Sequence, residues 1–200
     1  MADIRSRNCV FVSHCILAQG VMADGLVKHF PGPIKPILQF CLDNDIAIMQ
    51  MPCPETLCAA GGLGRMPHGK QWYEKNGLRN VSREIAAGQA AYMQRLSNGG
   101  FHILAIIGVE FSPACAVTFL NRGPAIYRDQ GIYVEELRRA MKERDIEVPF
   151  MGISPRWHKK MVVDLQKLLE LPRSNGSGSR GGKIESSQSV RDSLPVHPRE

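Results

Sequence analysis

Four short apolar runs, separated by stretches with helical periodicity, constrain the fold of this chain more than any other feature. The runs lie at 9–13, 46–51, 101–109 and 148–153. Strands that are apolar without alternation are typical of a parallel sheet that is buried on both faces. Because these strands alternate with helices, the sequence predicts an α/β fold. The expected architecture is an open, mostly parallel sheet with helices on both faces, a Rossmann-like three-layer sandwich.

Apolar residues recur near the helical period in the segments between the strands. The first predicted helix opens within 31–36, and one face carries Ile34, Ile37, Leu38, Cys41 and Leu42. The second spans 81–96 and the third spans 134–144. A last helix is predicted after Ser154, with this serine as its cap and Pro155 in its first turn.

Composition predicts one domain followed by a tail. The chain has 200 residues, and a typical domain has roughly 100 to 200. Beyond Leu171 serine and glycine dominate and large apolar residues are scarce, which is typical of disordered segments. We therefore predict an α/β domain over 1–171 and a disordered tail over 172–200.

Charge, hydropathy and cysteine spacing argue against several classes of protein. The net charge is only +6, and the basic residues of 138–144 lie among acidic ones, which indicates a solvated helix face and makes a nucleic-acid surface unlikely. No apolar run approaches the roughly 18 residues of a membrane span. The six cysteines lack the paired spacing of a disulfide scaffold, and no CxxC motif occurs. We therefore expect a reduced, cytoplasmic setting, in which any metal site is assembled from distant segments.

Three cysteines follow three of the predicted strands: Cys15, Cys53 and Cys115. The carboxyl ends of parallel strands lie along one edge of an open sheet, and ligands bind in the crevice there. An isolated cysteine is usually a small core residue, but the shared placement of these three favours a metal site. Three sulfur ligands suit a zinc ion or an iron–sulfur cluster, and without an obvious fourth cysteine one coordination position stays open for a substrate.

The residues around these cysteines resemble the motifs of the 2-thiouracil desulfidase (TudS-like) family. VSHC ends at Cys15, PCPE spans 52–55 and is followed by a glycine-rich segment with Arg65, and SPAC ends at Cys115. The likeness extends from the first strand to about Val117. Ala114 and Ala116 replace the serine and glycine of the family pattern, and only Asp24 and Gly25 remain of a first-loop motif. The resemblance is therefore to a divergent member.

The resemblance implies a 4Fe-4S cluster held by Cys15, Cys53 and Cys115. The fourth iron would bind the sulfur of a thiocarbonyl substrate and act as a Lewis acid while water replaces the sulfur. Glu55 would be the general acid or base for that water. Ser112 would position the substrate or relay a proton.

Two further residues are predicted to bind the substrate. Ser13 is a weaker candidate for the work assigned to Ser112, and Arg65 would pair with an anionic group. Each polar candidate also has a purely structural interpretation. Glu55 would sit in the first turn of a short helix beginning at Pro54, Ser112 would belong to a turn, and Arg65 would pair with a surface carboxylate.

Three functions follow from these residues. The leading hypothesis is a cluster-dependent, non-redox desulfidase that releases hydrogen sulfide from a thiolated nucleobase or similar small thiocarbonyl compound, with thiolated tRNA left open as a substrate. The second is a zinc-dependent hydrolase that uses the same three cysteines. The third is a non-catalytic metal or cluster sensor. The sequence does not determine the oligomeric state.

Overall fold

The computed structural model of the chain describes residues 3–123 and 125–170. The predicted tail at 172–200 lies outside this range, so the division into domain and tail stays a prediction. The described strands are β1 (Asn8–Ser13), β2 (Ala47–Met51), β3 (His102–Val109), β4 (Phe119–Arg122), β5 (Ala125–Arg128) and β6 (Phe150–Ile153). The described α-helices are α1 (His14–Leu17), α2 (Lys35–Asp43), α3 (Pro54–Leu57), α4 (Lys70–Lys75), α5 (Leu78–Asn98), α6 (Ile132–Lys142) and α7 (His158–Lys167).

The four predicted strands form one sheet in the order β2-β1-β3-β6. Every neighbouring pair in this sheet is parallel, so the predicted fold class is confirmed. The chain runs from β1 to β2 on one side and then crosses to β3 on the other side of β1. In open α/β sheets such a reversal leaves a crevice at the carboxyl ends of the two central strands. The antiparallel hairpin of β4 and β5 was not predicted.

Helices cover both faces of the sheet, and two apolar cores result. Alternate residues of β1 enter different cores: Phe11 packs in the core beneath α5 and α6, whereas Val10 and Val12 pack in the core beneath α2 and α7. This alternation is the two-residue period of a strand. Burial on both faces explains why the strands read as continuous apolar runs.

Helix positions differ from the predictions mainly at their ends. α5 begins at Leu78, directly after Gly77, whose φ of 89° suits glycine and separates α5 from α4. Leu42, predicted on the buried face of α2, is 72% exposed. It follows the buried Cys41, and one step along a helix turns the side chain by about 100°. After Ser154, one 3₁₀ turn precedes α7.

None of the helices within 3–123 and 125–170 combines the length and apolarity that a membrane span requires.

Candidate active site

The three strand-end cysteines line one cavity at the carboxyl edge of the sheet. Cys15 lies in α1, directly after β1, Cys53 lies between β2 and α3, and Cys115 lies in the loop after β3. The cavity has a volume of about 170 Å³, and Glu55 and Ser112 also line it. Segments 38 and 62 residues apart in sequence (15 to 53, and 53 to 115) therefore meet at the crevice that the strand order creates.

Each of these thiols is held in its neutral form by burial and by the other groups of the site. Burial, followed by the charges of Cys53 and Glu55, raises the pKa of Cys15 to about 12. Burial and the charges of Cys15 and Cys53 raise the pKa of Cys115 well above its ordinary value. Burial and Glu55 likewise raise the pKa of Cys53. Metal ligation requires thiolates, and a cationic centre among the three sulfurs would stabilise that form.

Three thiols are a donor set of the kind that holds a zinc ion or an iron–sulfur cluster. Within the described part of the chain, no group of three His, Cys, Asp or Glu side chains is placed to hold a single metal ion. A zinc ion needs its sulfur ligands at about 2.3 Å from one point. In a four-iron cluster each cysteine binds a different iron, so the three sulfurs need only surround a common cavity.

The loop that carries Cys115 is fixed by a buried carboxylate that the sequence analysis missed. Glu110 directly follows β3, and its Oε2 accepts hydrogen bonds from the backbone N–H groups of Val117 (3.2 Å), Thr118 (3.1 Å) and Phe119 (2.9 Å). A Cβ at Gly152 would lie 1.8 Å from Glu110 Oε1, so glycine is required on the neighbouring strand. An acidic residue directly after an apolar strand is the sequence signal from which this role could have been predicted.

Phe111 turns the chain sharply between Glu110 and Ser112. Its φ is 69°, a left-handed conformation that is uncommon for a residue with a side chain. Its ring lines the cavity and packs edge-on against Trp157 at 5.2 Å between centroids. Strain of this kind is common at functional sites.

Glu55 connects the loops after β2 and β3. Its Oε1 accepts a hydrogen bond from Ser112 Oγ at 3.0 Å, and its Oε2 accepts two from Arg65, at 2.8 and 3.2 Å. Ser112 Oγ in turn accepts bonds from the backbone N–H groups of Ala114 and Cys115. Glu55 does lie in the first turn of α3. Its carboxylate, however, is bonded across the site to two other segments.

Arg65 is buried and uses all three nitrogens within the protein. Besides Glu55, it donates to Val21 O at 2.7 Å, Gly62 O at 2.9 Å and Tyr73 Oη at 3.2 Å. Burial lowers the pKa of Arg65, but the hydrogen bonds and charges of Glu55 and Tyr73 together outweigh that effect, so the pKa is raised. Its carboxylate partner is thus the buried Glu55. The side chain lines the cavity, and its predicted contact with an anionic substrate stays a prediction.

The remaining predicted residue, Ser13, lies at the end of β1 and is 2% exposed. Its hydroxyl forms no hydrogen bond with a nitrogen or oxygen atom. A hydrogen bond from this hydroxyl to the sulfur lowers the pKa of Cys115, against the larger effect of burial. The structure thus brings all seven predicted site residues to one region. Exposed Lys28 and Arg156 also line the cavity.

Comparison with known proteins gives distant likenesses. No family model matches the chain. Uncharacterized protein MJ0003 of Methanocaldococcus jannaschii is 23% identical over 169 residues, which cover 84% of this chain and 100% of that protein. Among solved structures, the 4Fe-4S-dependent thiouracil desulfidase TudS aligns with 82% of this chain and 98% of its own, with a TM-score of 0.48 and 17% sequence identity. At these distances the function has to be inferred from the site itself.

Proposed function

We propose that the protein is a desulfidase that uses a 4Fe-4S cluster to remove sulfur from a thiolated nucleobase or a similar thiocarbonyl compound. The observation that carries this proposal is the convergence of three buried thiols on one cavity, beside a carboxylate bonded to a serine. Cys15, Cys53 and Cys115 would hold the cluster. When bound, the cluster supplies an iron that acts as a Lewis acid toward the thiocarbonyl sulfur.

The reaction exchanges sulfur for oxygen without net electron transfer. Water adds to the thiocarbonyl carbon, so that one C–O bond forms, and the C–S bond then breaks with release of hydrogen sulfide. Glu55 accepts one proton from the attacking water and gives it to the sulfur. It then takes the proton of the remaining hydroxyl as the C=O bond forms and gives that to the departing sulfur, which leaves as hydrogen sulfide. A carboxylate within reach of both atoms is suited to both transfers.

The contacts of Glu55 support this part in the reaction. Arg65 bonds to one carboxylate oxygen, Oε2, and thereby orients the group. The other oxygen, Oε1, accepts a hydrogen bond from the Ser112 hydroxyl. Ser112 lines the cavity, so this bond connects the carboxylate of Glu55 to the cavity. Ser112 is itself oriented by two backbone N–H groups, so it can relay a proton without reorienting the loop.

The apolar side chains of the cavity are suited to a small planar substrate. Val109, Phe111 and Pro113 line it together with the thiols. Apolar side chains pack well against the face of a conjugated ring, whereas the polar groups of the site can form hydrogen bonds with the atoms at its edge. A free base and a nucleoside both satisfy this description, and a thiolated tRNA is a further candidate.

The test is anaerobic reconstitution with iron and sulfide, followed by incubation with 2-thiouracil and with 4-thiouridine. We expect about four irons per chain, a brown protein, and equal amounts of sulfide and desulfurated product. A colourless protein that retains one zinc per chain would instead support the hydrolase. A cluster-loaded protein that releases no sulfide from either compound would support the sensor.

A further inference from the structure

Gln19 is a buried amide in the wall of the cavity, and neither the sequence motifs nor the proposed reaction uses it. It begins the 3₁₀ turn Gln19–Val21, is 2% exposed, and lines the cavity together with the three thiols. Glutamine is mostly exposed in proteins, and a buried amide atom that has left water needs a new partner. The partners of its two amide atoms therefore indicate what this side chain does.

The nitrogen of the amide is fixed by the backbone of Cys15. Gln19 Nε2 donates a hydrogen bond to Cys15 O at 2.6 Å. A carbonyl oxygen can only accept a hydrogen bond, so the NH₂ group must face Cys15 and the amide cannot be turned round. Because both amide atoms are bonded to the same carbon, Gln19 Oε1 also lies close to the backbone of Cys15.

The oxygen of the amide is an acceptor without a donor. Gln19 Oε1 has no hydrogen-bond partner among residues 3–123 and 125–170. The unpaired side-chain polar atoms that are fully enclosed in this part of the chain are the hydroxyls of Ser13, Ser82 and Tyr133. Gln19 Oε1 is not one of them, so it keeps a surface that a bound molecule can reach. Since Gln19 lines the cavity, that surface opens into the proposed substrate site.

Hydrogen bonds connect the turn that carries Gln19 to the proposed general acid or base. Arg65 Nη1 donates to Val21 O of this turn at 2.7 Å, and Arg65 Nη2 donates to Glu55 Oε2 at 2.8 Å. The turn is also held at its other end, where the N–H of Gln19 donates to Gly32 O at 3.3 Å. The amide oxygen of Gln19 and the carboxylate of Glu55 are therefore held on one connected frame in the cavity wall.

We propose that Gln19 Oε1 accepts a hydrogen bond from an N–H group next to the thiocarbonyl carbon, so that the protein selects thiocarbonyl compounds that carry this N–H. The inference rests on the proposed function and assigns it a specificity-determining residue. Both 2-thiouracil and 4-thiouridine have such an N–H, whereas a ring that is alkylated at this nitrogen lacks it. A compound of the second kind leaves the buried acceptor unpaired, which weakens its binding.

A comparison of 4-thiouridine with 3-methyl-4-thiouridine tests this proposal, because the methyl group replaces the hydrogen of the N–H beside the thiocarbonyl carbon. In the reconstituted wild type, kcat/KM for sulfide release should be roughly 10- to 100-fold lower for the methylated compound. Gln19→Met keeps the length of the side chain, and with it any steric part of this ratio, but removes the acceptor. The ratio should therefore fall about 10-fold in this variant. The fall should come from a higher KM for 4-thiouridine, since the N–H is present in the ground state and the transition state alike.

Asn121→Leu is the matched control, because Asn121 is an amide that also lines the cavity but is exposed. Its ratio should equal that of the wild type. Equal kcat/KM for the two compounds in the wild type, or an unchanged ratio in Gln19→Met, would overturn the inference and leave the proposed function intact. Loss of the ratio in Asn121→Leu would overturn it as well, since the N–H would then be recognised by a different amide.

Binding of the corresponding oxygen compounds separates this inference from the reaction. Uridine and 3-methyluridine differ in the same N–H but contain no sulfur, and calorimetry on the same reconstituted proteins measures their dissociation constants. Sulfide release from neither thio compound would overturn the proposed function, whereas tighter binding of uridine that is lost in Gln19→Met would still support the acceptor. Equal binding of uridine and 3-methyluridine by a protein that releases no sulfide would overturn both.

Discussion

The six cysteines fall into two groups of three that the fold treats differently. Cys9, Cys41 and Cys58 lie inside the apolar cores and do not line the cavity, and Cys58 Sγ donates to Asn76 O. The other three line the cavity at the carboxyl edge. Burial does not separate the groups, since Cys115 is only 7% exposed.

What separates the two groups is the identity of their neighbours. The core thiols are surrounded by aliphatic and aromatic side chains. The edge thiols share a cavity with Glu55, Ser112 and Arg65, and they act on one another electrostatically. The comparison teaches that a cysteine acquires chemistry through the polar groups that share its cavity, whereas a cysteine packed among apolar side chains only fills space.

The largest expected difference between the two groups is in cluster binding. Replacing Cys115 by serine should abolish the cluster, because the cluster would then lose one of its three proposed cysteine ligands. Replacing Cys41 by alanine should leave iron content unchanged and lower stability by about 1 kcal/mol, through a small cavity. Iron and sulfide per chain after reconstitution, with thermal unfolding of the apo proteins, measure both effects. Equal iron in the two variants would remove the distinction between edge and core.

The second prediction concerns the carboxylate that accompanies the edge thiols. Glu55→Gln should retain the cluster but lower turnover by roughly 10²- to 10⁴-fold, the usual contribution of a general acid or base. Glu136→Gln is the matched control, because Glu136 is also buried and paired with arginine, but on α6 and outside the cavity. This control should leave the turnover per cluster unchanged. Full turnover in Glu55→Gln would exclude this residue from proton transfer.

The third prediction concerns the ion pair that orients Glu55. Arg65→Met leaves a buried carboxylate without its cation, since the two side chains are only 6% and 10% exposed. The loss should be about 3–5 kcal/mol of unfolding free energy. Lys160→Met breaks the pair with Asp164 on α7, where the lysine side chain is 59% exposed, and should cost at most about 1 kcal/mol. Denaturant unfolding of both variants measures the two losses of unfolding free energy. Similar losses would contradict the view that burial makes the ion pair of Glu55 and Arg65 the more important one.

The smallest effect is the contribution of two core thiols to the pH dependence of stability. Burial raises the pKa of Cys9 and of Cys41 from 9.0 to about 11. In the unfolded chain these thiols ionise first, so their contribution to stability is present below pH 9 and is lost as the pH rises toward 11. The melting temperature of the protein should fall across this window, and less steeply in Cys41→Ala. An identical slope in that variant would assign the dependence to other groups.

Much of the fold and part of the site could be predicted from local patterns. The strands were recognisable because burial on both faces leaves continuous apolar runs, and parallel strands necessarily bring their carboxyl ends to one edge. From that rule the sequence alone predicts that Cys15, Cys53 and Cys115 lie at one edge. Helix ends were less predictable, since they depend on single residues such as Gly77 with its φ of 89°.

Side-chain partners were decided only by the tertiary structure. Glu55 could have capped its own helix, and its contact with Ser112 spans 57 residues of sequence. Gly131 carries no local signal either, because its close approach to Ala114 and Cys115 exists only in the folded chain. The sequence by itself determined which elements form and which edge they share, since these follow from short-range periodicity. The directions of the side chains at that edge depend on turns such as Phe111 and on distant packing, which no local pattern encodes.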